Sequence, residues 1–133
     1  MNWWTSAALL VVVLVVHVLV FGAIRRLCVE RFRALATAYP ALTPSPDALK
    51  RQCCSVSIDW FSFGMCCHIW ADATHLHMRF MWIAQIFGAQ AMSVPWDALQ
   101  IMRRGRWTWI ARVGKSFLSA PAWAMKLAEP DEA

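Results

Sequence analysis

Four histidines and five cysteines are the residues of this sequence that invite a metal or redox reading. His75 and His77, two apart on an extended strand, project side by side, and His68 and Cys66 would join them on one face of a hairpin. Zinc or copper accepts such donors. The cysteines argue the other way. Cys53-Cys54 and Cys66-Cys67 are adjacent pairs, whose side chains point to opposite faces of a strand, and Cys28 stands alone with no C-x-x-C spacing anywhere. Cys66-Cys67-His68 also lacks the spacing of covalent haem attachment. We expect surface histidines, small reduced buried thiols, no metal site and no cofactor.

Hydrolytic chemistry has no more obvious home. No Ser/His/Asp set stands in a triad-like context, no G-x-S-x-G occurs, and the five glycines form no phosphate loop. Asp59, Asp72 and Asp97 are isolated and suit turns. The expectation is a protein that is not an enzyme. His17 is a separate case, because it interrupts an otherwise apolar run and an ionisable group at depth in a bilayer is costly unless used. A pigment or haem contact is one use; a hydrogen bond across a helix–helix contact, or a neutral histidine tolerated near the interface, is the preferred account. Arg103, Arg104 and Arg106, with Arg112, Lys115, Trp107 and Trp109, combine cations with aromatic faces as nucleic-acid platforms do. Beside a membrane, contact with lipid or protein is the simpler use, and no nucleic acid is expected.

The elements that must position these groups follow from composition. The 133 residues are 59% hydrophobic and 16% charged, against about 45–50% and about 25% in soluble domains. Mean hydropathy is +0.44. Residues 3–24 carry no charge, and at about 1.5 Å per residue they make a helix of about 33 Å, enough for a hydrocarbon core of about 30 Å. The arginines follow the apolar run rather than precede it, unlike a signal peptide. Residues 1–46 hold +3 of the net +5, as Arg25, Arg26, Arg31 and Arg33 against Glu30. By the positive-inside rule the N-terminus lies outside and the remainder in the cytoplasm of a bacterial inner membrane, with Trp3 and Trp4 at the outer interface and Arg25 and Arg26 at the inner one. The helix is expected to continue to about residue 38, lying on or standing off the inner surface.

Pro40, Pro44 and Pro46 make residues 40–46 a linker, which separates a first segment, 1–39, from a folded unit, 47–128, and an acidic tail, 129–133. Within the unit the apolar period is two. Cys54, Val56, Ile58 and Trp60 alternate with Ser55, Ser57 and Asp59, and a bulge or turn is expected near Gly64. Residues 66–72 and 75–82 register as a hairpin across Ala73-Thr74. One face then pairs Ala71 with Leu76, Ile69 with Met78 and Cys67 with Phe80; the other pairs Trp70 with His77 and His68 with Arg79. A loop at 84–91, strands at 92–94, 96–103, 107–113 and 116–119, and a helix at 122–127 presenting Trp123, Leu127 and Met125 complete about six or seven strands and one closing helix.

The run Asp72 to Leu76, Arg79-Phe80-Met81-Trp82, Ser93-Val94-Pro95-Trp96 and Leu118-Ser119-Ala120-Pro121 resembles the small single-pass bacterial membrane proteins that carry a PH-like domain, over about residues 53–127. The resemblance implies a small antiparallel β barrel with a C-terminal helix, used for binding. Seven tryptophans follow Asp47, more than a small barrel can bury. Trp70, Met81, Ile86 and Phe87 are expected to form a partner-facing patch. The expected function is a non-catalytic accessory or assembly subunit of a larger membrane complex, respiratory or photosynthetic, touching lipids and other subunits. The alternatives are a free membrane-tethered lipid- or peptide-binding module and a metal- or redox-linked Cys/His protein.

Overall fold

The computed structural model describes residues 2–59 and 61–129. Helix α1 runs unbroken over Trp3–Ala38, since no proline interrupts it before Pro40 removes the next donor. Its apolar half is exposed along its length and is long and apolar enough to cross a membrane. Its last part behaves differently. Cys28 and Phe32 are fully buried, and the Phe32 ring stands 5.4 Å from Phe63 and 5.3 Å from Phe80. The extension is therefore part of the domain core.

Seven antiparallel strands follow: β1 (Leu49–Ile58), β2 (Phe61–Ala71), β3 (His75–Phe80), β4 (Met92–Pro95), β5 (Gln100–Arg104), β6 (Thr108–Val113) and β7 (Ser116–Pro121). They form one curled sheet, a half-barrel, in the order β4-β3-β2-β1-β7-β6-β5. Two meanders are thus joined where β1 also pairs with β7. The β2–β3 register is the one the alternation requires: Cys67 opposite Phe80, His68 opposite Arg79, Ile69 opposite Met78, Trp70 opposite His77 and Ala71 opposite Leu76. The core lies on the face of Ile69, Leu76, Met78, Val56 and Ile58, closed by Phe32 and by α3 (Ala122–Met125).

Several local expectations change. The turn between β1 and β2 follows Asp59, at φ 52°, rather than Gly64, which is a β2 residue; Trp60 lies outside the described residues. The bulge expected near Gly64 is present in β2, where the four steps from Phe63 to Cys67 face only two from Cys54 to Val56, with Met65 at φ 57°; a second bulge lies in β1 between Arg51 and Cys54, with Cys53 at φ 55°. Residues 96–98 form a 3-10 turn, so β5 begins only at Gln100. In the closing helix Ala124 and Met125 face the core, whereas Leu127 is exposed. Trp109 packs inward while Trp107 is 77% exposed, because they are two apart and yet only Trp109 falls where β7 and the core cover it. Of the acidic tail, residues 130–133 lie outside the described residues.

Candidate functional site

The 40–46 segment is a strap pinned to the outer face of the sheet. It leaves the end of α1, bridges Pro40 to Met92 at the β4 edge, and accepts the Ser93 N–H on the Tyr39 carbonyl at 3.3 Å. Beyond the edge its amides find side chains. The Leu42 N–H donates to Ser93 Oγ at 2.8 Å, and the Ser45 N–H donates to Asp72 Oδ2 at 3.2 Å. Between these acceptors stands His77, whose Nδ1 is 2.7 Å from Ser93 Oγ and whose Nε2 is 2.8 Å from Asp72 Oδ2. Asp72 Oδ1 also accepts from the N–H groups of Thr74 and His75 and from the Thr74 hydroxyl. Burial alone would raise the Asp72 pKa, but the hydrogen bonds from His77, Thr74, His75 and Ser45 outweigh it and hold the carboxyl well below the usual carboxylate range.

This arrangement corrects two readings. His77 is not a surface histidine, because the strap covers it, and a Ser/His/Asp line does exist. Alternation placed His77 on the face opposite the core, but alternation reports only which face is apolar, not what lies over the other one. Ser93 enters through β4 pairing, His77 opposite Ser93, a contact no local pattern announces. The line has the residue types of an acyl-transfer triad, but Ser93 is 3% exposed and its oxygen already takes the Leu42 N–H. Its geometry is that of a staple joining strap, hairpin and edge strand.

Next to the staple, the strap and the outer face of β1–β3 enclose an open cleft of about 340 Å³ lined by Pro44, Ser45, Pro46, Ala48, Lys50, Trp70 and Arg79. The Lys50 ammonium lies 5.0 Å and the Arg79 guanidinium 5.5 Å from the Trp70 ring. Trp70 is half-buried, its ring in reach of two cations, and among the described residues lining the cleft there is no carboxylate to neutralise them. Such a groove suits an acidic segment in extended form. No family model, curated protein or solved structure matches this chain.

The other candidate residues distribute over separate places. Trp70 and the Ile86–Phe87 segment do not share a patch: α2 (Trp82–Gln85) begins where the Met81 N–H meets the Cys66 carbonyl at 2.7 Å, four residues along β2 from Trp70, or about 13 Å. Met81 is half-buried at that start. Phe87 stands 5.6 Å from Phe21 and 6.4 Å from Phe63, and Ile86 accepts the Arg25 Nε–H at 2.9 Å. Arg104 pairs with Glu129 and lies 5.6 Å over Trp109, so its charge is answered within the chain. Arg103 is exposed, and Arg106 lies over the exposed Trp107 ring at 5.1 Å. Trp3 and Trp4 stack at 3.7 Å between centroids, both exposed. His17 Nδ1 donates to the Val13 carbonyl at 2.7 Å, leaving Nε2 on the outside of α1.

Among the described residues no three His, Cys, Asp or Glu side chains converge as a metal site would require. All five cysteines are free, and Cys53 is exposed rather than buried. Burial pushes the Cys67 thiol far up and raises that of Cys54, against the pull of Arg51 on the latter. Thiols held protonated are poor nucleophiles and poor metal ligands.

Proposed function

We propose that this chain is a non-catalytic accessory or assembly subunit of a larger bacterial inner-membrane complex of respiratory or photosynthetic type. In this reading α1 crosses the bilayer with its N-terminus outside, and the β domain, a PH-like module, stands in the cytoplasm and grips a partner subunit. The observation that carries it is the junction: the helix apolar enough to span is the same unbroken helix whose Phe32 closes the domain core. A module on a flexible tether searches; one fused to its anchor presents a face at fixed height and orientation, as a subunit interface needs. The two joined meanders and the short C-terminal helix support the PH-like reading, and the arginines that follow the span support the orientation. The gripping face is the Trp70 cleft, and its chemistry selects an acidic, extended segment of the partner. Arg103 and Arg106, exposed on the β5–β6 hairpin, offer a second cationic edge.

The test is mild-detergent purification of the full chain and of Trp70→Ala from native membranes, with the co-migrating proteins identified by mass spectrometry. We expect the wild type to bring down a membrane complex and Trp70→Ala to lose it, an anchor of this type carrying about 2 kcal/mol or more, with the thermal transition unmoved. Full retention of the complex by Trp70→Ala overturns the assignment. The specific alternative is a free tethered peptide-binding module, which the open cleft favours; a wild type that purifies alone yet binds acidic peptides would establish it.

A further inference from the structure

One side of the α2 turn faces away from the sheet. Trp82, Ile83 and Ile86 fall at spacings of three and four residues, so they share one helical face, and they are 67%, 45% and 46% exposed. The opposite side is fixed. Ala84 is fully buried, and Gln85 donates from Nε2 to the Phe80 carbonyl at 2.9 Å. Their height is set by α1. Phe87 stacks edge-on against Phe21 at 5.6 Å and the Ile86 carbonyl receives Arg25. Phe21 is three residues inside the last apolar position, Ile24, about 4.5 Å by helical rise, and Arg25 is the first charge beyond it. This close approach depends on Gly88, at φ +82°, where a Cβ would lie 2.6 Å from Val29 Cγ2 and 2.7 Å from Val29 Cα.

We infer that α2 is an interfacial wedge: Trp82, Ile83 and Ile86 enter the phospholipid leaflet into which α1 emerges. The occupant of this apolar face is lipid because the face is continuous with the span and begins at its boundary, where a tryptophan is most at home. Arg25 and Arg26, with Glu30 and Arg33 further along, line a groove of about 330 Å³ on α1 that starts at this boundary. A helix fixes depth but leaves tilt and rotation free; a second contact beside it fixes both. The inference rests on the reading that α1 spans a bilayer.

The experiment uses the full chain in vesicles of phosphatidylglycerol and a phosphatidylcholine bearing a diazirine near the glycerol end of one acyl chain, with adducts mapped by mass spectrometry after irradiation. Adducts are expected on α1 and on residues 82–86, and not on Leu42, which is 51% exposed on the strap beyond the far end of α1. Adducts on α1 alone overturn the wedge while leaving the span intact. No adducts on α1 overturn the span and the wedge together. Labelling of Leu42 equal to that of residues 82–86 also overturns the wedge.

Discussion

Replacing Phe32 by Ala should unfold the β domain from a position seventeen residues before its first strand. Phe32 is fully buried, wedged between Phe63 and Phe80, and truncating a buried phenylalanine costs about 3–5 kcal/mol, a large share of the about 5–15 kcal/mol that holds a domain folded. Leu14→Ala, on an exposed stretch of the same helix, is the control. Denaturant unfolding of the full chain in micelles should show a large loss for Phe32→Ala and none for Leu14→Ala. Equal, small effects would mean that α1 is only an anchor and contributes nothing to the core.

Asp72→Asn should be the second large effect, and its size should depend on pH. The carboxylate answers His77, two hairpin amides, the Thr74 hydroxyl and the Ser45 amide of the strap. Each buried donor left without a good acceptor costs about 1–3 kcal/mol, so a loss of at least about 3 kcal/mol is expected at neutral pH. Because the folded carboxyl titrates below its ordinary range, its contribution is fully present above the unfolded value of about 3.9 and is lost as pH falls toward the folded value. The gap between wild type and Asp72→Asn should therefore narrow below about pH 4. Stability curves measured from pH 7 to pH 3 that stay parallel would show that the carboxylate's ionisation does not stabilise the fold.

What the sequence made legible was whatever a single pattern could encode. The β2–β3 register followed because two strands carry apolar residues on one face and polar ones on the other, and a slip of one residue would have mixed them. The prolines marked residues 40–46 as a linker, though not as a strap pinned to the sheet, and an uncharged run marked a helix long and apolar enough to cross a membrane. The unreadable parts are contacts between distant segments. Phe32 looks like any aromatic beside a membrane until Phe63 and Phe80 are placed around it. His77 and Ser93 look like surface residues until the strap crosses them. Trp70 and Phe87 both look like patch residues, yet one ends in a cationic cleft and the other against α1, because their burial is decided by elements far away in the chain. Gly88 carried a signal that could have been used, since an isolated glycine in an apolar loop often marks close approach of two backbones.

The end of α1 and the sheet should form one cooperative unit, and hydrogen exchange of the full chain in lipid nanodiscs tests this most directly. The amides of residues 28–38 should exchange as slowly as those of β3, and both should lose protection together as Phe32→Ala is introduced. Rapid exchange at residues 28–38 beside a fully protected β3, or a β3 indifferent to Phe32→Ala, would contradict it.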